Sequence, residues 1–160
     1  MKSLVVFDSV YGNTEKIAKE IGKRLGGNTN ILLVSRVKEK DLRNLNLLIV
    51  GSPTHGGRPT KDVVSFLNII PVELRTAFYD TRLEKESHGF GLKIVMSVIG
   101  FAAEKMEGQF KSRGGKVLIK AEGFVVTDKK GPMKVGEMEK LERWVDGIKE
   151  KSEILVVEYS

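Results

Sequence analysis

The strongest constraint on this chain is its repeated switch between strand-like and helix-like hydrophobic spacing. Ser3–Phe7 reads S-L-V-V-F, a short apolar run suited to a strand buried on both faces. Ile17, Ala18, Ile21 and Leu25 follow at helical spacing, and Gly26-Gly27 supplies a helix stop. Asn30–Val34 and Leu47–Val50 read as a second and a third strand. Thr60 is placed to cap a helix carrying Val63, Val64, Phe66, Leu67 and Ile70, which Pro71 ends. Glu73–Tyr79 reads as a fourth strand, and residues 80–92 as an irregular loop. Ile99, Ala102, Ala103, Met106 and Phe110 mark a helix over 98–113, stopped by Gly114-Gly115. Lys116–Val126 reads as a fifth strand with a break at Glu122-Gly123. Met138, Leu141, Val145 and Ile148 mark a last helix, and Ile154–Tyr159 an extended apolar tail.

Strands that alternate with helices from end to end predict an α/β chain, with a parallel sheet covered by helices on both faces. Right-handed crossovers leave only a few doubly wound strand orders. A length of 160 residues is natural for one domain and buries a full core without staples. The reading is one domain over 1–150 and a C-terminal extended tail over 151–160.

Composition narrows the chemistry. There is no cysteine, which excludes disulfides, zinc–thiolate sites, iron–sulfur clusters and a cysteine nucleophile. Two histidines do not by themselves make a metal site, and no metal site is expected. No apolar run approaches a membrane span, and Met1-Lys2 leads straight into the first strand, so neither a membrane anchor nor a secretory leader is expected. A cytoplasmic location follows as the expectation. The chain carries 27 Lys+Arg against 21 Asp+Glu, for a formal charge of +6. The excess sits in residues 1–60, with 10 basic residues against 5 acidic ones. Such a charge suggests an acidic partner or nucleic acid. Aromatics interleaved with basic residues are not evident, so no nucleic acid is expected.

In sheets of this kind ligands bind beyond the carboxyl ends of the strands, near the point where strand order reverses. Three segments there are unusual. Ser9-Val10-Tyr11-Gly12-Asn13-Thr14 joins the first strand to a helix N-terminus, where backbone N–H groups and the helix dipole favour an anion. It contains no Lys or Arg, so a phosphate there would rest on dipoles and hydroxyls. Gly51-Ser52-Pro53-Thr54-His55-Gly56-Gly57-Arg58-Pro59-Thr60 has two prolines that stiffen it and glycines that permit close ligand approach. Phe78-Tyr79-Asp80-Thr81-Arg82 places an aromatic pair and a carboxylate at the end of the fourth strand. Neither G-x-x-x-x-G-K-[ST] nor a G-x-G-x-x-G after the first strand is present, which argues against a nucleoside triphosphatase or a dinucleotide site.

Taken together, S-x-Y-G-N-T (Ser9–Thr14), G-S-P-T-H-G (Gly51–Gly56) and F-Y-D-T-R (Phe78–Arg82) resemble the flavodoxin family. A G-P-x-x-x-G-E segment (Gly131–Glu137) before the last helix adds to the likeness. The resemblance implies a flavodoxin-like doubly wound five-stranded parallel sheet of order 2-1-3-4-5, with FMN as cofactor. It implies that Ser9, Tyr11, Gly12, Asn13 and Thr14 cradle the FMN phosphate. Pro53, Thr54, His55, Gly56 and Gly57 would meet the ribityl chain and one face of the ring. Phe78, Tyr79, Asp80, Thr81 and Arg82 would border its other side. His55 stands where an aromatic often lies, and Trp144, in the last helix, is expected in the core or at an interface.

The implied function is a one- or two-electron carrier between redox protein partners, with no residue assigned to catalysis. The alternative is an FMN-dependent NAD(P)H:quinone-type oxidoreductase of the same class. With Arg58, Arg82 and His88 near the site, the flavin is expected to be a weaker reductant than in acidic relatives. Partners with acidic docking surfaces are expected, for a monomer or a homodimer.

Overall fold

The computed structural model describes residues 1–84 and 100–158, with side chains to residue 153. The expected loop over 85–92, with His88, and the start of the helix expected from 98 lie outside the described residues.

Five parallel strands form one sheet in the order β2-β1-β3-β4-β5, as the resemblance implied. They are β1 (Ser3–Phe7), β2 (Thr29–Leu33), β3 (Leu47–Pro53), β4 (Thr76–Leu83) and β5 (Glu122–Val126). Among the described residues four α-helices accompany them: α1 (Asn13–Leu25), α2 (Lys61–Leu67), α3 (Ala102–Ser112) and α4 (Glu137–Glu158). Two short 3-10 turns, Val34–Arg36 and Glu39–Leu42, carry the chain from β2 to β3.

The alternation of side chains along the central strands divides the core in two. Leu4, Val6, Leu48, Val50 and Phe78 face one side, against Val63, Phe66 and Leu67 of α2 and Ala103, Met106 and Phe110 of α3. Val5, Phe7, Leu47, Ile49 and Tyr79 face the other, against Ile17, Ala18 and Ile21 of α1 and Leu141, Trp144, Val145 and Ile148 of α4. Trp144 is buried as expected, stacking edge-on with Tyr79 and Phe124, and its indole N–H donates to the Lys120 carbonyl.

Several boundaries differ from the sequence expectation, and three have a readable cause. β4 begins at Thr76 and runs on through Leu83, so F-Y-D-T-R is strand rather than loop. The charged residues that suggested an end are tolerated because Asp80 and Arg82, two apart on one face, pair with each other. β5 is only five residues long, because its lead-in touches β4 at a single bridge, Thr76 with Val117. The chain then leaves the ladder, and the Glu107 carboxylate takes the Ala121 N–H instead. Finally, α4 continues through Glu158, so residues 154–158 are helical and not an extended tail. No Gly or Pro follows Gly147, and helix propagation has nothing to stop it.

Candidate functional site

The carboxyl ends of β1, β3, β4 and β5 converge on a pocket of about 260 Å³. It is walled by Val10, Tyr11, Asn13 and Thr14 of the first loop, Pro53 to His55 after β3, Thr81 to Leu83 of β4, and Val126 and Lys129 at the end of β5. This is the place where strand order reverses between β1 and β3.

The first loop is shaped by its own polar groups. The Ser9 hydroxyl accepts the Gly12 N–H at 3.1 Å, and the Asp8 carboxylate accepts the Ser9 N–H at 2.9 Å. Gly12 then occupies the N-cap position at φ +90°, a left-handed conformation that disfavours a side chain. No side chain caps α1, so the N–H groups of Asn13, Thr14 and Glu15 lack a side-chain acceptor. Asn13 donates instead to the Lys129 carbonyl at 2.7 Å. Thr14 is buried with its hydroxyl 2.8 Å from that of Thr81. Tyr11 and Val10 stand at the rim, 46% and 55% exposed.

The second loop ends in a tight turn. His55 and Arg58 exchange both backbone hydrogen bonds at 3.0 Å, and the intervening Gly56 and Gly57 have φ of +54° and +74°. Positive φ at both central positions is the two-residue hairpin geometry that favours glycine. The turn is anchored at its base: the Thr54 N–H donates to the Thr81 carbonyl, and the Thr54 hydroxyl accepts the Ala102 N–H. Thr60 sits at the N-cap of α2, but its hydroxyl makes no cap; its N–H donates to Ser52.

The third segment is redistributed by being a strand. Phe78 is fully buried on the α2/α3 side, edge-on to Phe110. Tyr79 is fully buried on the α1/α4 side, with its hydroxyl donating to the Thr14 carbonyl at 3.0 Å. Neither lines the pocket; the aromatic pair expected beside a bound ring lies in the two core layers behind it. Asp80 is fully buried as well, receiving two hydrogen bonds of 2.7 Å from Arg82 and one of 2.8 Å from the Ala103 N–H. Burial pushes its carboxyl above the ordinary range, against the Arg82 guanidinium and the Ala103 N–H, which favour the charged form. Arg82 pays its own desolvation, but Asp80 and Glu104 more than offset it and hold the guanidinium charged. The same guanidinium lies 3.8 Å over the Phe101 ring. Of this segment only Thr81 and Arg82 reach the pocket wall.

Of the residues picked from sequence, Tyr11, Asn13, Thr14, Pro53, Thr54, His55, Thr81 and Arg82 line the pocket together. Ser9, Gly12, Gly56 and Gly57 shape its loops from just outside the lining. Val10, Leu83, Val126 and Lys129 were missed. The strand-end rule applies to β5 as it does to β1, and would have drawn attention to Lys129 in the turn that follows it.

The family profile described as "Flavodoxin domain" matches residues 4–117. The chain belongs to the flavodoxin family. A curated flavodoxin from Buchnera aphidicola subsp. Acyrthosiphon pisum (strain APS) is 47% identical over 51 residues, spanning 31% of this chain and 30% of the relative. Among solved structures, Flavodoxin 2 from Bacillus cereus superposes with a TM-score of 0.70 at 19% identity, over 94% of this chain and 99% of that one. Rubredoxin oxygen:oxidoreductase from Desulfovibrio gigas superposes with a TM-score of 0.68 at 17% identity, over 96% of this chain but only 36% of that one. These structural likenesses share the fold. The chain thus spans about a third of the Buchnera flavodoxin it matches and of the Desulfovibrio enzyme.

Flavodoxins bind FMN, and FMN is the cofactor the family assigns to this chain. The residues present fit it: an uncapped helix N-terminus opens on the pocket, with the Tyr11 and Thr14 side chains in its wall and Ser9 shaping the loop beneath. The profile stops at residue 117, so the β5 wall with Val126 and Lys129 lies outside the matched segment. No helix among the described residues is long and apolar enough to cross a membrane.

Proposed function

We propose that this chain holds FMN at the carboxyl edge of its sheet and carries electrons between redox protein partners. The observation that supports this most is the uncapped N-terminus of α1 at the pocket. FMN supplies one- and two-electron redox chemistry when bound, and the protein binds, orients and tunes it.

In this reading the N–H groups of Asn13, Thr14 and Glu15, with the helix dipole and the Ser9 and Tyr11 hydroxyls, hold the phosphate. Gly12 gives the backbone its close approach. Pro53, Thr54 and His55 form a wall for the ribityl chain and the ring, and Gly56-Gly57 sets the turn that carries that wall. Thr81 and Arg82 close the opposite side. Phe78, Tyr79 and Asp80 act from behind, by positioning β4.

The expectation about potential changes with the geometry. Arg82 is paired with Asp80 and Glu104, so its charge is largely compensated before it reaches the pocket. Lys129 in the pocket wall, its neighbour Lys130, and Arg58 in the turn beyond His55 are exposed cations. With a formal charge of +6 they favour a partner with an acidic docking face, whose association weakens as salt rises.

The test is to purify the protein, record its flavin spectrum with and without added FMN, and then add NADH or NADPH anaerobically. A flavin spectrum that pyridine nucleotide leaves unchanged supports the carrier. Fast bleaching would support the quinone-oxidoreductase alternative. A protein that takes up no FMN would overturn both.

A further inference from the structure

The turn after β5 is a built element rather than a loose connection. Val126 bridges antiparallel to Met133, and the Lys134 N–H donates to the Val125 carbonyl at 2.9 Å. The Thr127 N–H and hydroxyl both donate to the Pro132 carbonyl, and the Gly131 N–H closes the tip on the Asp128 carbonyl. A short hairpin therefore projects from the end of β5, with Lys129 at its tip and in the pocket wall.

This hairpin is fastened to the first turn of α1. The Asn13 amide donates to the Lys129 carbonyl at 2.7 Å. On the other side of the same amide, a Cβ on Gly131 would come within 3.0 Å of the Asn13 Oδ1. Asn13 is thus seated between Lys129 and Gly131, and its side chain is committed to the hairpin. The first loop has no Lys or Arg of its own, and among the described residues Lys129 is the lysine in the pocket wall beside the α1 N-terminus.

We infer that Lys129 is a phosphate-binding residue supplied in place of a cation in the first loop, and that Asn13 is the positioning residue that holds it there. The inference rests on the FMN reading above and names a contact outside the segment the family profile matches. A dianionic phosphate favours a nearby ammonium far more than a neutral alcohol does. Discrimination between FMN and riboflavin, which lacks the phosphate, is therefore the property that Lys129 should set.

The experiment measures dissociation constants of FMN and riboflavin by flavin fluorescence for the wild-type protein, Lys129→Gln, Lys129→Arg and Asn13→Ala. Lys129 is exposed, so its replacement leaves the fold intact. Lys129→Gln should weaken FMN about tenfold and leave riboflavin within about twofold, as expected for losing one charge-assisted contact. Lys129→Arg should restore most of the FMN affinity. Asn13→Ala should lose part of the same selectivity and add little when combined with Lys129→Gln. An equal loss for both flavins, or no loss for either, overturns the inference while leaving the FMN reading intact. A wild-type protein that binds neither flavin overturns the FMN reading itself.

Discussion

The Thr14 hydroxyl lies 2.8 Å from the Thr81 hydroxyl, joining the first turn of α1 to β4 inside the molecule. Both side chains are buried, and both border the pocket. The contact ties the uncapped end of the helix to the strand that forms the facing wall. Thr81→Val keeps the shape but leaves the Thr14 hydroxyl without this partner, at a cost of about 1–3 kcal/mol. Chemical denaturation should show that loss, and FMN titration of the folded variant should show weaker binding.

Tyr79 secures the same turn from beneath. Its hydroxyl donates to the Thr14 carbonyl, and its ring covers Gly51 on the neighbouring strand, so a Cβ there would come within 2.0 Å of the ring. Tyr79→Phe should cost about 1 kcal/mol through the lost hydrogen bond. Gly51→Ala should cost more, on the order of 3 kcal/mol, because the ring is packed and has nowhere to move. If Gly51→Ala matched the wild-type midpoint in urea, this packing would be misassigned.

Arg82→Met isolates the buried Asp80 carboxylate. Breaking such a pair by removing one partner costs about 3–5 kcal/mol. Asp80 already sits above the usual carboxylate range through burial, and without Arg82 it rises further. A carboxyl raised in the folded state takes up its proton before the unfolded chain does. The stability deficit of the variant should therefore shrink as pH falls from neutral toward the ordinary carboxylate range. Urea midpoints of both proteins across that window check the sign.

In the proposed FMN site, the Gly56-Gly57 turn sets the backbone that carries His55. Gly56→Val forces a β-branched residue to φ +54°, a strain of about 1–2 kcal/mol. A Cβ there meets no atom within 4 Å, so the effect comes from the backbone rather than from crowding. Spectroelectrochemical titration should show a shifted flavin midpoint potential. An unchanged potential would remove this turn from the flavin environment.

The fold was readable because β1 and β3 are near-continuous apolar runs and α1 carries an unbroken helical stripe. Ser9–Thr14 and Gly51–Gly57 were readable as site loops because glycine, proline and hydroxyl residues gather there for backbone reasons. Phe78–Arg82 misled because its charges neutralise one another inside the strand, a pairing that hydrophobic period does not register. With β4 running on, Phe78 and Tyr79 fall into the two core layers and only Thr81 and Arg82 reach the pocket. Lys129 was missed because its placement depends on a hairpin fastened by Asn13, a contact between residues 116 positions apart. The helical course of 154–158 was hidden by a run of β-branched residues that reads as strand, although α4 was already propagating through it.

The most direct measurement is an NMR titration of the isotopically labelled protein with FMN, following the backbone amides. One FMN should bind per chain, with the largest shifts at the Asn13, Thr14 and Glu15 amides and further shifts at Thr54, His55 and Lys129. No binding would contradict the central claim, as would shifts confined to the groove around Arg43, Asn46 and Arg75.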